Sequence, residues 1–365
     1  MPAKKTPQPA ILRPHAETAY AAELKALAHH DTDRAKPSGW NLSPRAVVNY
    51  LLGETLGDGT EIIPKYFGDR RLIEVAVASL VTDRALLLVG VPGTAKTWVS
   101  EHLAAAISGD STLLVQGTAG MSEDALRYGW NYARLLAEGP SEQALVPSPV
   151  MTGMQTGKLV RLEELTRIPS DVQDALITIL SEKILPVPEL NREIQAVQGF
   201  NVIATANDRD KGVNELSSAL RRRFNTVIMP LPATLEEEVR IVTDRSGAAA
   251  AGMELPPIKK DVAAEITRLV TIFRELRNGR TEDGRTTLKV PSSTLSTAEA
   301  ISVVNQSRAL SHHFGSGDLE PEHLAASLTG AIVKDRGQDE AVWREYLEVV
   351  VRNRKGWEDL WEVLQ

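Results

Sequence analysis

Apolar residues near the start of the chain recur at helical spacing. The segment ETAYAAELKALA predicts an amphipathic helix over 17–28, and similar patterns predict helices over 44–56 and 72–81. The texture then changes. Short apolar runs recur at 85–89, 112–115, 159–162, 200–205 and 226–229, each separated from the next by enough chain for a crossover helix. Five such runs predict a mostly parallel sheet covered on both faces. Two intervals exceed what a crossover needs. Residues 139–157 (GPSEQALVPSPVMTGMQTG) are rich in Pro, Gly and Ser and read as an insert rather than a helix. Residues 184–199 alternate apolar and polar positions around 189–192, the pattern of a projecting β-hairpin. Long inserts at such places are usually functional loops, because structureless connections are uncommon in compact domains.

Past Pro232 the pattern turns helical. Segment 235–244 reads as one helix, and Val262, Ile266, Leu269, Phe273 and Leu276 step by four and three along a single apolar face. Further helices read at 295–312 and 321–333, the second opened by Pro321, with a polar loop at 278–287 between them and the first. A last helical segment over 340–364 carries Trp343, Trp357 and Trp361, read as packing residues rather than a ligand box. The first 14 residues, rich in Pro and Lys, read as disordered, and there is no internal repeat.

Composition narrows the function. A chain of 365 residues is long enough for two or three domains. The 41 Lys+Arg against 48 Asp+Glu leave a net charge of −7, which argues against a surface built for duplex nucleic acid. With no cysteine, disulfide frameworks, thiolate zinc sites and cysteine nucleophiles are excluded. The apolar runs fall far short of the ~20 residues of a membrane helix, and the N-terminus lacks the apolar core of a signal peptide. The expectation is a soluble, cytoplasmic protein.

The chemistry clusters at strand ends. Gly90-Val91-Pro92-Gly93-Thr94-Ala95-Lys96-Thr97 follows the strand at 85–89 and precedes a helix running to about Ile107. In that context glycines let backbone N–H groups curl around phosphate oxygens at a helix N-terminus, Lys96 reaches the β- and γ-phosphates, and the Thr97 hydroxyl binds Mg²⁺. Ala95 replaces the last glycine of the usual pattern, and its methyl costs about 1 kcal/mol if the position needs positive φ. The third strand, LVRL, ends in Glu163 and Glu164, sited where open α/β sheets bind ligands. Neighbours on a strand point to opposite faces, so the two divide the work: Glu163 for the metal, Glu164 for the attacking water. Arg161 is unusual in a buried strand and reads as half of a local ion pair. The fourth strand ends in Asn207, whose amide can hydrogen-bond the γ-phosphate or the water. A short helix then closes on Arg221, Arg222 and Arg223 before Phe224, and an arginine from this run inserted in trans could stabilise transition-state charge.

GVPGTAKT, LVRLEE, ATAN and ALRRRF, in this order, resemble an AAA+ ATPase and, within that superfamily, the MoxR family. The resemblance covers about residues 70–335. It includes 165–183 after the second carboxylate, an insert before the third strand like the family's helix-2 insert, and a hairpin before the fourth like its pre-sensor-1 hairpin. It implies an α/β fold: a P-loop core with a five-stranded parallel sheet flanked by helices, plus an all-α lid. The implied division is 1–40 as a partly disordered tail and helix, 41–232 as the nucleotide-binding domain, 233–335 as the lid and 336–365 as a helical extension. ATP and Mg²⁺ are the implied ligands, with residues 90–97 and Trp98 as the nucleotide-binding stretch and Thr97 with Glu163 on the metal. Glu163 stands where the family usually has Asp, and Glu164 matches its catalytic Glu. Asn207 matches sensor 1, and Arg223 the arginine finger, with Arg222 as second choice. Ala298-Glu299 stand where the family's lid helix often carries the sensor-2 arginine. The family's members resemble one another in forming hexameric rings, and many act on protein clients with von Willebrand factor A domain partners, as chaperone-like remodelers. Loop 116–121 (QGTAGM), with no aromatic residue to grip a threaded chain, fits that behaviour. A nucleotide-binding scaffold with weak hydrolysis is the alternative, and a nucleic-acid motor is disfavoured by the acidic balance.

Overall fold

The computed structural model describes residues 11–207, 214–253, 255–256, 262–315, 317 and 319–365. Of the 14 residues read from sequence as disordered, 1–10 lie outside the described ones. The chain divides into two compact units, the main boundary falling between Pro230 and Leu231.

The first unit is built on five parallel strands: β1 Ala85–Gly90, β2 Leu114–Gln116, β3 Leu159–Glu163, β4 Asn201–Asn207 and β5 Phe224–Ile228. They lie side by side in the order β5-β1-β4-β3-β2. All four pairings are parallel, as the apolar runs predict. Alternation along each strand feeds two cores. Leu86, Leu88, Leu159 and Ile203 join the core beneath helices Pro44–Leu52, Arg70–Val81 and Lys96–Ser108. Ala85, Leu87, Val160, Leu162 and Ala204 join the other, beneath Pro149–Thr156 and Ser170–Ser181. Each fully buried Leu or Ile contributes about 1.5–3 kcal/mol, so a sheet filled on both faces anchors its strand ends rigidly.

The hairpin expected before the fourth strand is present: Ile184–Val187 pairs antiparallel with Arg192–Gln195. The insert read as non-helical is not. Its second half is the helix Pro149–Thr156, capped by the Ser148 hydroxyl and closed by Gly157 at φ 66°. Pro149 and Gly157 are helix boundary residues here rather than breakers. Gly153, inside the helix, lets it approach β3 so closely that an added Cβ would lie 2.3 Å from the Val160 side chain. The insert's Leu145–Pro147 pairs with Tyr128–Trp130 upstream of it, a small ribbon that encloses the helix Tyr132–Glu138. The helix predicted over 17–28 breaks at Tyr20 into Ala16–Ala19 and Ala21–His30.

The second unit is helical, with Leu235–Gly252, Val262–Asn278, Thr297–Phe314 and Pro321–Ile332 followed by Arg336–Tyr346 and Glu358–Leu364. The single helix expected over 340–364 is therefore interrupted. A π turn at Leu347–Val351 precedes a break where the Asn353 amide donates to the Glu348 and Val349 carbonyls and Gly356 takes φ 81°. Trp343, Tyr346, Val351, Trp357 and Leu360 share one core with Ile266, Phe273, Val304 and Leu328, so the segments read as lid and extension form one body. A buried carboxylate reinforces it through a hydrogen bond and an ion pair. Glu275 accepts the Tyr346 hydroxyl at 2.6 Å and Arg354 Nη2 at 2.6 Å. Burial beside that carboxylate holds the Tyr346 phenol well above its ordinary pKa. Glu299 caps the helix Thr297–Phe314, accepting from the Ser296 N–H at 2.9 Å in a reciprocal capping box. Where a sensor-2 arginine is often found, this chain has a capping pair. Among the described residues no helix is long and apolar enough to cross a membrane.

Candidate nucleotide site

The strand register assembles the site. Asn207 lies directly opposite Gly90, and Glu163 opposite Gln116, so the carboxyl ends of β1, β4, β3 and β2 converge on one edge of the sheet. The loop after Gly90 turns through Gly93 at φ 83° and Ala95 at φ 61° before entering the helix Lys96–Ser108. Ala95 is thus held in the left-handed region, which costs an L-residue about 1–2 kcal/mol. Ala95→Gly should relieve that strain and return part of it as unfolded-chain entropy, leaving a net gain of about 0.5–1 kcal/mol. Denaturant midpoints measured without nucleotide check this, and a midpoint at or below wild type would show that the turn stores no strain.

Lys96 is buried at the base of the loop, its ammonium donating to the Gly90 and Val91 carbonyls at 2.8 Å each. One residue on, the Thr97 hydroxyl donates to Glu163 Oε2 at 2.7 Å. Thr205 on β4 donates to the same oxygen at 2.7 Å, and its own hydroxyl accepts the Glu164 N–H at 3.0 Å. Glu163 Oε1 accepts from the Ser100 hydroxyl and, at 3.0 Å, from Arg161 Nη2. The ion pair foreseen for Arg161 is therefore this one, and both side chains are at least 95% buried. Hydroxyl and carboxylate oxygens side by side are hard donors that suit Mg²⁺. Among the described residues no group of three His, Cys, Asp or Glu could hold a metal alone. A cation here would be shared with substrate phosphates, as Mg²⁺ commonly is.

Glu164 differs from its neighbour in every respect. Its backbone is left-handed, at φ 55° and ψ 50°, and its side chain is about one-third exposed. Oε2 accepts from Arg167 Nη1 at 3.0 Å. Gly117 is what permits this turn: an added Cβ would sit 2.3 Å from the Glu164 carbonyl oxygen. The two arginines also part company. Arg223 is fastened within its own unit, Nε donating to Ser181 Oγ at 2.7 Å and Nη1 to the Ala219 carbonyl. Arg222 is exposed, and its side chain has no partner among the described residues.

The N-terminal helices are legible in sequence, but not their bracing of the phosphate-loop helix. Arg13 pairs with Glu101 at 2.9 Å, the Ala16 N–H donates to the same carboxylate at 3.2 Å, and Ser111 donates to Glu17 at 2.7 Å. Tyr50 hydrogen-bonds His102 Nδ1 at 2.9 Å, and burial together with the nearby Glu23 carboxylate raises its phenol far above the ordinary value. Lys65 is buried over the Tyr20 and Tyr50 rings and paired with Glu23. Trp98, counted from sequence with the nucleotide-binding stretch, turns its indole N–H to the Lys65 carbonyl at 2.9 Å and packs on His102.

Residues 85–224 match the AAA domain model of the dynein-related subfamily. Residues 236–365 match the model of the YehL-like AAA+ ATPase C-terminal domain. The chain is 41% identical over 350 residues to the protein YehL of Escherichia coli (strain K12), covering 94% of each. It is 25% identical over 236 residues to Protein NorQ of Paracoccus denitrificans, covering 64% of this chain and 81% of that one. A crystal structure of NtrX from Brucella abortus aligns with a TM-score of 0.49 at 13% identity, covering 77% of this chain and 62% of the NtrX chain.

Proposed function

Because the chain belongs to the YehL-like AAA+ ATPases and is MoxR-like, we propose that it hydrolyses ATP with Mg²⁺ as a ring of identical subunits. In this reading the ring is a cytoplasmic hexamer that remodels or matures a protein client beside a von Willebrand factor A domain partner, and nucleic acid has no part. The observation that carries the ATPase reading is the 2.7 Å contact between the phosphate-loop hydroxyl of Thr97 and the strand-end carboxylate of Glu163. It ties two distant motifs into one oxygen-lined corner.

Each residue then has a task that its surroundings suit. Lys96 exchanges its two carbonyl partners for phosphate oxygens. Gly93 and Ala95, both at positive φ, turn the backbone of the loop so that its N–H groups can follow the phosphates. Thr97 and Glu163 would hold Mg²⁺, which when bound would neutralise phosphate charge. Glu164, about one-third exposed and paired with Arg167, accepts a proton from the attacking water. Asn207, in register with Gly90, orients the γ-phosphate or that water. Arg222, with Arg223 as its fastened neighbour, stabilises charge at the next subunit's site.

The test of nucleotide binding is Lys96→Ala. Removing the phosphate-neutralising ammonium should abolish binding of a fluorescent ATP analogue at concentrations that saturate the wild type. Binding at wild-type strength would overturn the phosphate-loop assignment.

A further inference from the structure

Arg161 is a full positive charge inside a buried strand, and the ATPase reading leaves it without a task. Moving such a group out of water costs several kcal/mol, and the attraction of a partner repays this only when the geometry is good and every donor is used. Here every guanidinium nitrogen donates, through four of its five N–H groups. Nε donates to Ser100 Oγ at 3.1 Å, Nη1 to the Ser111 carbonyl at 3.2 Å, and Nη2 to the Thr97 carbonyl at 3.2 Å and Glu163 Oε1 at 3.0 Å. The residue is 4% exposed. Its register neighbours are Ile203 and Leu114, so the sheet offers an apolar alternative at this level. Apolar replacements of buried pairs are often neutral or stabilising, and stability alone is therefore a poor reason for an arginine here.

The two oxygens of Glu163 suggest the reason. Period-2 alternation puts Arg161 and Glu163 on the same face of β3, the face toward the helix Lys96–Ser108. Ser100 and Arg161 claim Oε1, while Thr97 and Thr205 claim Oε2. A glutamate has one more rotatable bond than an aspartate, so its carboxylate must be held from behind to present one chosen oxygen. Building on the Mg·ATP reading of this corner, we propose that Arg161 is a positioning residue. It takes one Glu163 oxygen into a buried, hydrogen-bonded pair and so fixes the other against Thr97, setting how strongly the site takes up Mg²⁺ with nucleotide.

The test reads Mg²⁺ dependence rather than turnover. A fluorescent ATP analogue is bound first in EDTA and then titrated with Mg²⁺, for wild type, Arg161→Met, Arg161→Lys and Ser100→Ala. In EDTA all four should bind within about twofold, because the Lys96 ammonium is held by the Gly90 and Val91 carbonyls, whereas the Arg161 and Ser100 side chains bond to the Thr97 carbonyl and Glu163. The Mg²⁺ concentration giving half of the metal-dependent gain should rise about 10–100-fold in Arg161→Met, the usual effect of losing a residue that holds a metal ligand. Arg161→Lys keeps the charge but loses the planar fork, and its midpoint should fall between. Ser100→Ala removes one small hydroxyl from the same oxygen and should shift the midpoint severalfold, so it decides the matter if Arg161→Met does not fold. A wild-type midpoint in folded Arg161→Met, or in Ser100→Ala, overturns the inference. Failure of the wild type to bind the analogue at all would instead overturn the nucleotide-site reading beneath it.

Discussion

Glu164→Gln leaves the protein able to bind Mg·ATP while slowing hydrolysis by about 10²–10⁴-fold, the range a positioned general base contributes. The structure makes this the cleaner of the two carboxylate substitutions. Glu164 is partly exposed, its side chain pairs with the more exposed Arg167, and Gln preserves its shape in the left-handed turn. An exposed pair of that kind contributes about 0–1 kcal/mol, so folding should be unaffected. Glu163→Gln is the contrast. It strips the partner from a buried guanidinium, a loss that typically costs about 3–5 kcal/mol, and should lower the denaturant midpoint as well as the response to Mg²⁺. Single-turnover hydrolysis and analogue binding, read on both variants alongside their denaturation curves, separate the roles. Equal, Mg²⁺-independent losses with equal stabilities would mean that the two acids do not divide the work as their burial suggests.

What could be read from sequence was what is local and periodic. Five apolar runs, each bounded by polar residues, become five parallel strands, because a strand buried on both faces has little choice of composition. The phosphate loop and strand-end carboxylates are legible for a similar reason: their chemistry depends on a few consecutive residues. The misses are tertiary or turn on the sense of a boundary residue. Pro149 and Gly157 look like breakers along the chain and act as the first residue and cap of one helix. Glu299 sits where an arginine is looked for, and only the bond to the Ser296 N–H shows it to be a cap. Nothing in the pattern at 13–20 says that Arg13 and Ala16 will find Glu101, more than eighty residues later. Arg161 was conspicuous in sequence, yet its four acceptors come from the loop helix, the approach to β2 and β3 itself, which only folding brings together.

The finger reading makes its demand on assembly. Register places Phe224 beside Ala85, and the Ala85 N–H donates to the Arg223 carbonyl at 3.1 Å. The arginine run thus lies at the start of β1, whereas the phosphate loop leaves its far end at Gly90. Five residue steps at about 3.3 Å separate the two by about 16 Å, beyond the reach of an arginine side chain folded back on its own subunit. A finger from this run can therefore act only on a neighbour's nucleotide, where such residues are worth roughly 10³–10⁵ in rate, and head-to-tail contacts of that kind close into rings. Arg222→Ala should bind the ATP analogue normally, hydrolyse ATP slower by that order, and depress wild-type activity when mixed with it. Arg223→Ala should mainly loosen the anchor to Ser181 and cost less. If Arg223→Ala shows the larger loss with normal binding, the two arginines exchange roles while the trans mechanism stands. Specific activity against protein concentration, with light-scattering mass measured in parallel, is the deciding experiment. Wild-type activity should rise as the mass reaches that of a ring, and a monomer with full, concentration-independent hydrolysis would leave a nucleotide switch without a ring.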